Sequence, residues 1–215
     1  MYLNVVSFDF QSADLAAEEH NYFAHHVPLA RRFGGLRFYY TGRIVHGAGA
    51  EPGRLRTAIL GYDSAEAAAD AMRSEVIAPL VADTRAHLTN LASISISGEA
   101  IVPCAPREPG APCFIMAAEF DLEGAAGDLA AAERHYRGVH VELARKLPGL
   151  RHYLIGKIER GASASDRYRM AVLVFDSLEA FRAAYKSPAG QVLVRDENAT
   201  IRNARVMRID ARSEV

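Results

Sequence analysis

Two histidines occupy equivalent places in this sequence, each four residues after a tyrosine: Tyr22-x3-His26 and Tyr136-x3-His140. Residues four apart share one face of a helix, and each histidine sits in the middle of an apolar helical stripe. Each pair is therefore expected to face a sheet, where burial keeps an imidazole neutral and able to accept a proton. Glu19 and Glu133 precede the histidines by seven residues, about 10.5 Å along a helix axis, close enough to act on the same ligand without touching the imidazole. Both stretches continue into Gly-Leu-Arg-x-Tyr, with Arg37 and Tyr39 in one and Arg151 and Tyr153 in the other. Strand alternation puts each arginine and tyrosine on one face, where a guanidinium beside a phenol can hold a carboxylate or polarise an enol oxygen. Each feature also has a plain structural reading: a core histidine satisfied by a neighbour, a carboxylate favoured near a helix N-terminus, an arginine at an exposed strand end.

Other chemistries find less support. His20 and His25, like His135 and His140, are five apart, which on an α-helix separates them by about 140° and keeps either pair from one metal ion. No glycine-rich phosphate loop and no Gly-x-Ser-x-Gly elbow occurs. Neither a metal nor an organic cofactor is expected. Cys104 and Cys113 both lie in a proline-rich segment and suggest no disulfide framework. The net charge is −1, and no basic stripe supplies the counterion release that drives nucleic-acid binding. No apolar run approaches the ~18 residues of a membrane span, and the N-terminus has no secretory pattern. The chain reads as a cytoplasmic protein of small molecules.

The elements that must position these residues come twice. Glu19 to Ile44 superposes on Glu133 to Ile158 with 13 of 26 positions identical, and a shift of 113 lays Leu80-Val81-Ala82-Asp83 over Leu193-Val194-Arg195-Asp196. Two units, 1–100 and 114–215, are joined by 101–113, where Pro103, Pro106, Pro109 and Pro112 favour an extended spacer. In the first unit, Tyr2 to Phe10 alternates as a strand, and Ser12 to Phe33 carries a helical stripe stopped by Gly34-Gly35. Leu36 to His46 and Leu55 to Tyr62 read as strands around a loop at Gly47 to Gly53. Asp63 or Ser64 caps an alanine-rich helix, and Leu91 to Val102 closes the unit. The order βαββαβ is the ferredoxin-like split arrangement, with both helices on one face of an antiparallel sheet. The other face needs a cover, and two such sheets packed face to face supply it within one chain. A monomeric pseudo-dimer or a further homodimer both satisfy that requirement. His152 stands where the first unit has Phe38, on the opposite face from Tyr153.

The run Tyr22-x3-His26-x-Pro28-Leu29 followed by Gly34-Gly35-Leu36-Arg37-x-Tyr39 resembles the EthD family. The second copy, through Glu142 and Leu147-Pro148-Gly149-Leu150-Arg151-x-Tyr153, is similar, with Glu142 in place of the proline and Gly34 in place of Pro148. The resemblance implies an α+β fold of two ferredoxin-like βαββαβ units forming an intrachain pseudo-dimeric α+β barrel. It also implies chemistry on a small cyclic or aromatic oxygenated metabolite: a cofactor-independent isomerase, cyclase or dehydratase. His26 and His140 would be the bases, Tyr22, Tyr136, Tyr39 and Tyr153 oxyanion donors, and Arg37, Arg151, Glu19 and Glu133 substrate contacts. A non-catalytic binding or accessory protein, and a cofactor-free monooxygenase of phenols or anthrones, are the competing readings.

Overall fold

The computed structural model describes residues 1–45, 55–123, 128–161 and 163–215. His46 and the loop expected at Gly47 to Gly53 lie outside the described residues. Among the described residues eight strands are β1 (Tyr2–Phe10), β2 (Leu36–Ile44), β3 (Arg56–Tyr62), β4 (Leu88–Val102), β5 (Pro112–Leu122), β6 (Leu150–Ile158), β7 (Arg169–Phe175) and β8 (Ile201–Ser213). They close one antiparallel barrel in the order β1-β3-β2-β8-β5-β7-β6-β4. Each unit supplies four adjacent strands. Closure does more than the expected stacking of two faces, because the last strand of each unit outgrows its own sheet. β4 pairs with β1 along its first part and crosses to β6 from Ile96 onward. β8 likewise pairs with β5 and then with β2, from Ile209 to Ser213. These two crossings leave no sheet edge to template aggregation.

The central strands β3 and β7 are buried at every residue, as strands covered on both faces must be. One face lines the barrel, filled by side chains such as Val5, Phe38, Ile59, Ile115, Leu154 and Val172. The other face packs under helices, in one cluster per unit. Small residues let the seams close: Gly42 faces Ala211 across β2 and β8, and Gly98 faces Gly156 across β4 and β6.

The helices depart from the simplest reading of the stripe. In the first unit α1 (Leu15–Asn21) gives way to a π-helical turn, Tyr22–His26, and then to α2 (Val27–Ala30). The second unit repeats this as α5 (Leu129–His135), a π-helical turn at Tyr136–His140, and α6 (Val141–Ala144). Asp14 and Asp128 cap α1 and α5 through the amides of Ala17 and Ala131, and Gly35 and Gly149 end the runs at φ +73°, a conformation glycine adopts without strain. The second helical stretch of each unit is broken in two: α3 (Ala65–Ala71) and α4 (Ile77–His87), α7 (Leu178–Lys186) and α8 (Pro188–Thr200). Ser64, rather than Asp63, caps α3. In the second unit the break falls where Ser187 caps α8 and Pro188 opens it. The spacer between β4 and β5 narrows to 103–111. No described helix is long and apolar enough to cross a membrane.

Candidate functional site

The π-helical turns end on His26 and His140. Widened turns of this kind insert one residue into the helix and recur at functional sites. Here the turn lays each imidazole parallel to the preceding tyrosine ring, 5.0 Å between centroids for Tyr22 and His26 and 5.3 Å for Tyr136 and His140. The tyrosine lies underneath, fully buried, and does not hydrogen-bond its histidine. Tyr22 instead bonds through its hydroxyl to Tyr39 (3.0 Å) and Thr41 (2.9 Å), and the buried Tyr136 hydroxyl is likewise directed to Tyr153.

The partner of each histidine comes from the far helix. His140 Nδ1 is 2.8 Å from Asp196 Oδ2 on α8, and His26 Nδ1 is 2.8 Å from Asp83 Oδ2 on α4. A carboxylate fixes the proton on the nitrogen facing it, leaving Nε2 as a proton acceptor. Burial lowers both imidazoles below the ordinary histidine value, with the carboxylates pulling the other way. The second unit adds His135, whose Nε2 lies 2.7 Å from Asp196 Oδ1. The α-helical separation of about 140° expected for His135 and His140 is thus corrected, because the π-helical turn between them brings both rings to one carboxylate. Among the described residues no group of three or more His, Cys, Asp or Glu side chains is placed to hold a metal ion.

Each imidazole borders a cavity between sheet and helices. The second unit's measures about 350 Å³ and is lined by His140, Tyr153, Tyr185 and Glu197 among apolar residues including Phe120, Leu173 and Phe181. Its counterpart in the first unit, about 250 Å³, is bordered by His26, Tyr39 and Tyr62 among Phe8, Leu60 and Leu80. The duplication makes the difference between them plain. Thr84 stands where the second unit has Glu197, and Met72 where it has Tyr185. Burial, and then the charge of Asp196, push the Glu197 carboxyl up to about 7, so it can hold a proton near neutrality beside an unprotonated His140. The repeat alignment stops at Asp196, one residue short of this carboxylate; following it one position further is the signal in the sequence that would have exposed Glu197.

The remaining candidates sit elsewhere. Glu19 contacts Arg56 and Arg43, and Glu133 holds Arg169 through two bonds of 3.1 and 2.7 Å. Arg169 is buried and lies 4.7 Å from the centre of the Tyr136 ring, as Arg56 lies 5.2 Å from that of Tyr22. These carboxylates therefore neutralise arginines packed under the stacked rings, and they line neither cavity. Arg37 and Arg151 fall at β-bulges that open β2 and β6. The bulge defeats the simple alternation, and both guanidiniums turn outward to Asp63 and Asp176. Arg151 borders a different space at the barrel mouth, with Tyr40, Cys104, Arg107 and His152. His152 faces the barrel interior, its Nδ1 3.1 Å from the Tyr40 hydroxyl and its ring edge-on to Phe38.

Residues 127–201 match the family model of the EthD domain. No curated protein matches the sequence. Among solved structures, a proposed monooxygenase of Fusobacterium nucleatum superposes with a TM-score of 0.73 over 99% of this chain and 93% of its own, at 13% identity. One of the same description from Lactobacillus acidophilus gives 0.69 over 98% and 93%, at 12% identity. An anthrone oxidase-like protein gives 0.60 over 99% and 93%, at 14% identity. At such identities the likeness is one of fold: a whole chain that closes the same kind of barrel.

Proposed function

From a chain that carries an EthD domain at residues 127–201 and repeats its fold in the first half, we propose a cytoplasmic small-molecule enzyme catalysing proton transfer. The reaction is an isomerisation, cyclisation or dehydration of a cyclic or aromatic oxygenated metabolite, for which the protein's own side chains suffice. The observation that carries this reading is the pairing, in one apolar cavity, of His140 held by Asp196 with the carboxyl of Glu197. His140 Nε2 takes a proton from carbon, and Asp196 stabilises the imidazolium that forms. Glu197 in its acid form gives a proton to the oxygen or to the distal carbon. Tyr153, in the same cavity, stays protonated because burial raises its hydroxyl, and it serves as a donor to the developing oxyanion. A positioned acid or base contributes roughly 10²- to 10⁴-fold each, enough for enolisation. The cavity of about 350 Å³ is of the size of small-molecule pockets, roughly 300–1,000 Å³.

The first unit holds the same base without the acid, so the chemistry is assigned to the second. The test is isotope exchange in D2O with a panel of enolisable lactones, cyclic ketones and polycyclic phenols, followed by NMR. His140→Gln is expected to lower exchange at least about 100-fold, while His26→Gln leaves it within a factor of about three. Binding of panel members with no exchange by the wild type would replace the enzyme reading by a binding protein. Oxygen consumption with a phenol or anthrone would make the same base the start of an oxygenation.

A further inference from the structure

Unit by unit, the two histidine–carboxylate pairs differ in what else the carboxylate holds. Asp196 accepts from His140 on one oxygen (2.8 Å) and from His135 on the other (2.7 Å). Asp83 accepts from His26 at 2.8 Å, but among the described residues its second oxygen has only the amide of Asn21, at 3.5 Å. Asn21 and His135 are the same position of the duplication. His140 is 6% exposed and His135 41%, so one imidazole on Asp196 borders the cavity and the other meets solvent.

We propose that His135 is a positioning residue that governs the base: by sharing Asp196 with His140 it decides how much of the carboxylate's charge the inner imidazole receives. When His135 carries a proton it forms an ion pair with Asp196, and a cation then stands across the carboxylate from His140. Protonation of His140 is disfavoured by that like charge and by the diverted partner. Charge on the outer histidine thereby disfavours charge on the inner one. In the first unit no second imidazole among the described residues sits on Asp83, although the charge of His87 also disfavours protonation of His26. His87 itself pairs with Glu18 at 3.0 Å rather than with Asp83.

The other groups around His140 do not replace His135 in this role. On α8, Glu197 carries a proton near neutrality, and Thr200 Oγ1 donates to the Asp196 backbone carbonyl at 2.7 Å, with Asp196 Oδ2 at 3.4 Å. From the sheet and α7, Tyr153 and Tyr185 stay neutral because burial raises both hydroxyls. Arg208 on β8 lines the cavity as a fixed cation.

The proposal rests on the catalytic reading of His140 only for its consequence in turnover, and its test needs no substrate. Imidazole titrations are followed by NMR in the free protein, with His140 and His26 assigned by the signals lost in His140→Gln and His26→Gln. His135→Asn installs the first unit's own residue and is expected to raise the His140 midpoint by about half a pH unit or more, with His26 unmoved. His135→Lys, a fixed positive charge at the same place, is expected to hold the His140 midpoint at or below the wild-type value. An unmoved midpoint in His135→Asn overturns the proposal, as does an equal rise in both variants, which would mark a structural role. Failure of isotope exchange in the wild type, by contrast, removes the catalytic reading and leaves this coupling standing.

Discussion

Asp196 and Glu197 are consecutive residues of α8, yet they titrate on opposite sides of the ordinary carboxylate value. Burial raises both, but the bonds from His135 and His140 bring Asp196 below its usual value, whereas Glu197 has no such bonds and is pushed up to about 7. The folded protein therefore retains a proton on Glu197 that the unfolded chain loses above an ordinary value near 4.5. Stability linked to this group is unaffected below that pH, falls as pH rises from about 4.5 to 7, and levels off above. Glu197→Gln mimics the neutral acid. Its melting temperature is expected to match the wild type at pH 4.5 and to exceed it by an amount that grows to pH 7, corresponding to about 1–3 kcal/mol. A constant difference across that range would contradict a buried, proton-holding Glu197. In isotope exchange the same variant is expected to lose at least about 100-fold, since an amide cannot donate as an acid.

The architecture was legible because it is written twice. Equivalent histidines, Arg-x-Tyr strand starts and aspartates 113 apart fixed two units, and their alternation fixed the strands. What stayed hidden depends on backbone departures that composition does not announce. A π-helical turn has no residue signature in Tyr22–His26 or Tyr136–His140, so helical-wheel angles misplaced His135. The bulges at Arg37 and Arg151 leave each strand pattern intact on paper while turning one side chain outward. Glu197 escaped for another reason: it follows a matched aspartate, and only the contrast with Thr84 across the repeat makes it unusual.

Glu133 offers a separation of stability from chemistry. It is bonded twice to the buried Arg169, and removing one member of a buried ion pair leaves the other charge uncompensated. Glu133→Gln is expected to destabilise the protein by about 3 kcal/mol in urea unfolding, while isotope exchange at 25 °C stays within a factor of three. A selective loss of exchange with unchanged stability would instead put this carboxylate in contact with substrate.

The seam between β4 and β6 tests the single-chain barrel. Gly98 and Gly156 are register partners, and a Cβ at Gly98 would collide with the backbone carbonyl of Ile155. Backbone cannot yield as a side-chain tip can. Gly98→Ala is expected to cost about 1–3 kcal/mol, while the equally small change Gly138→Ala, which meets no neighbour within 4 Å, is expected to stabilise slightly through helix propensity. Comparable effects at both positions would mean that the two sheets do not close on each other here.

His152 has a cost that its counterpart Phe38 does not. It is 1% exposed, its Nε2 has no partner, and burial lowers it to about 4. The unfolded chain takes up a proton at the ordinary value of 6.5, the folded chain only near 4, so stability is fully present above 6.5 and is lost as pH falls between the two, by about 3 kcal/mol. His152→Leu removes that proton uptake from the unfolded state. Tyr40 keeps the Sγ of Cys104 as a partner at 3.0 Å, so the substitution orphans no hydroxyl. The gain in melting temperature over the wild type is expected to be small at pH 7.5 and to widen steadily toward pH 4. A gain that shrinks on acidification would show that His152 becomes charged and finds a partner within the fold.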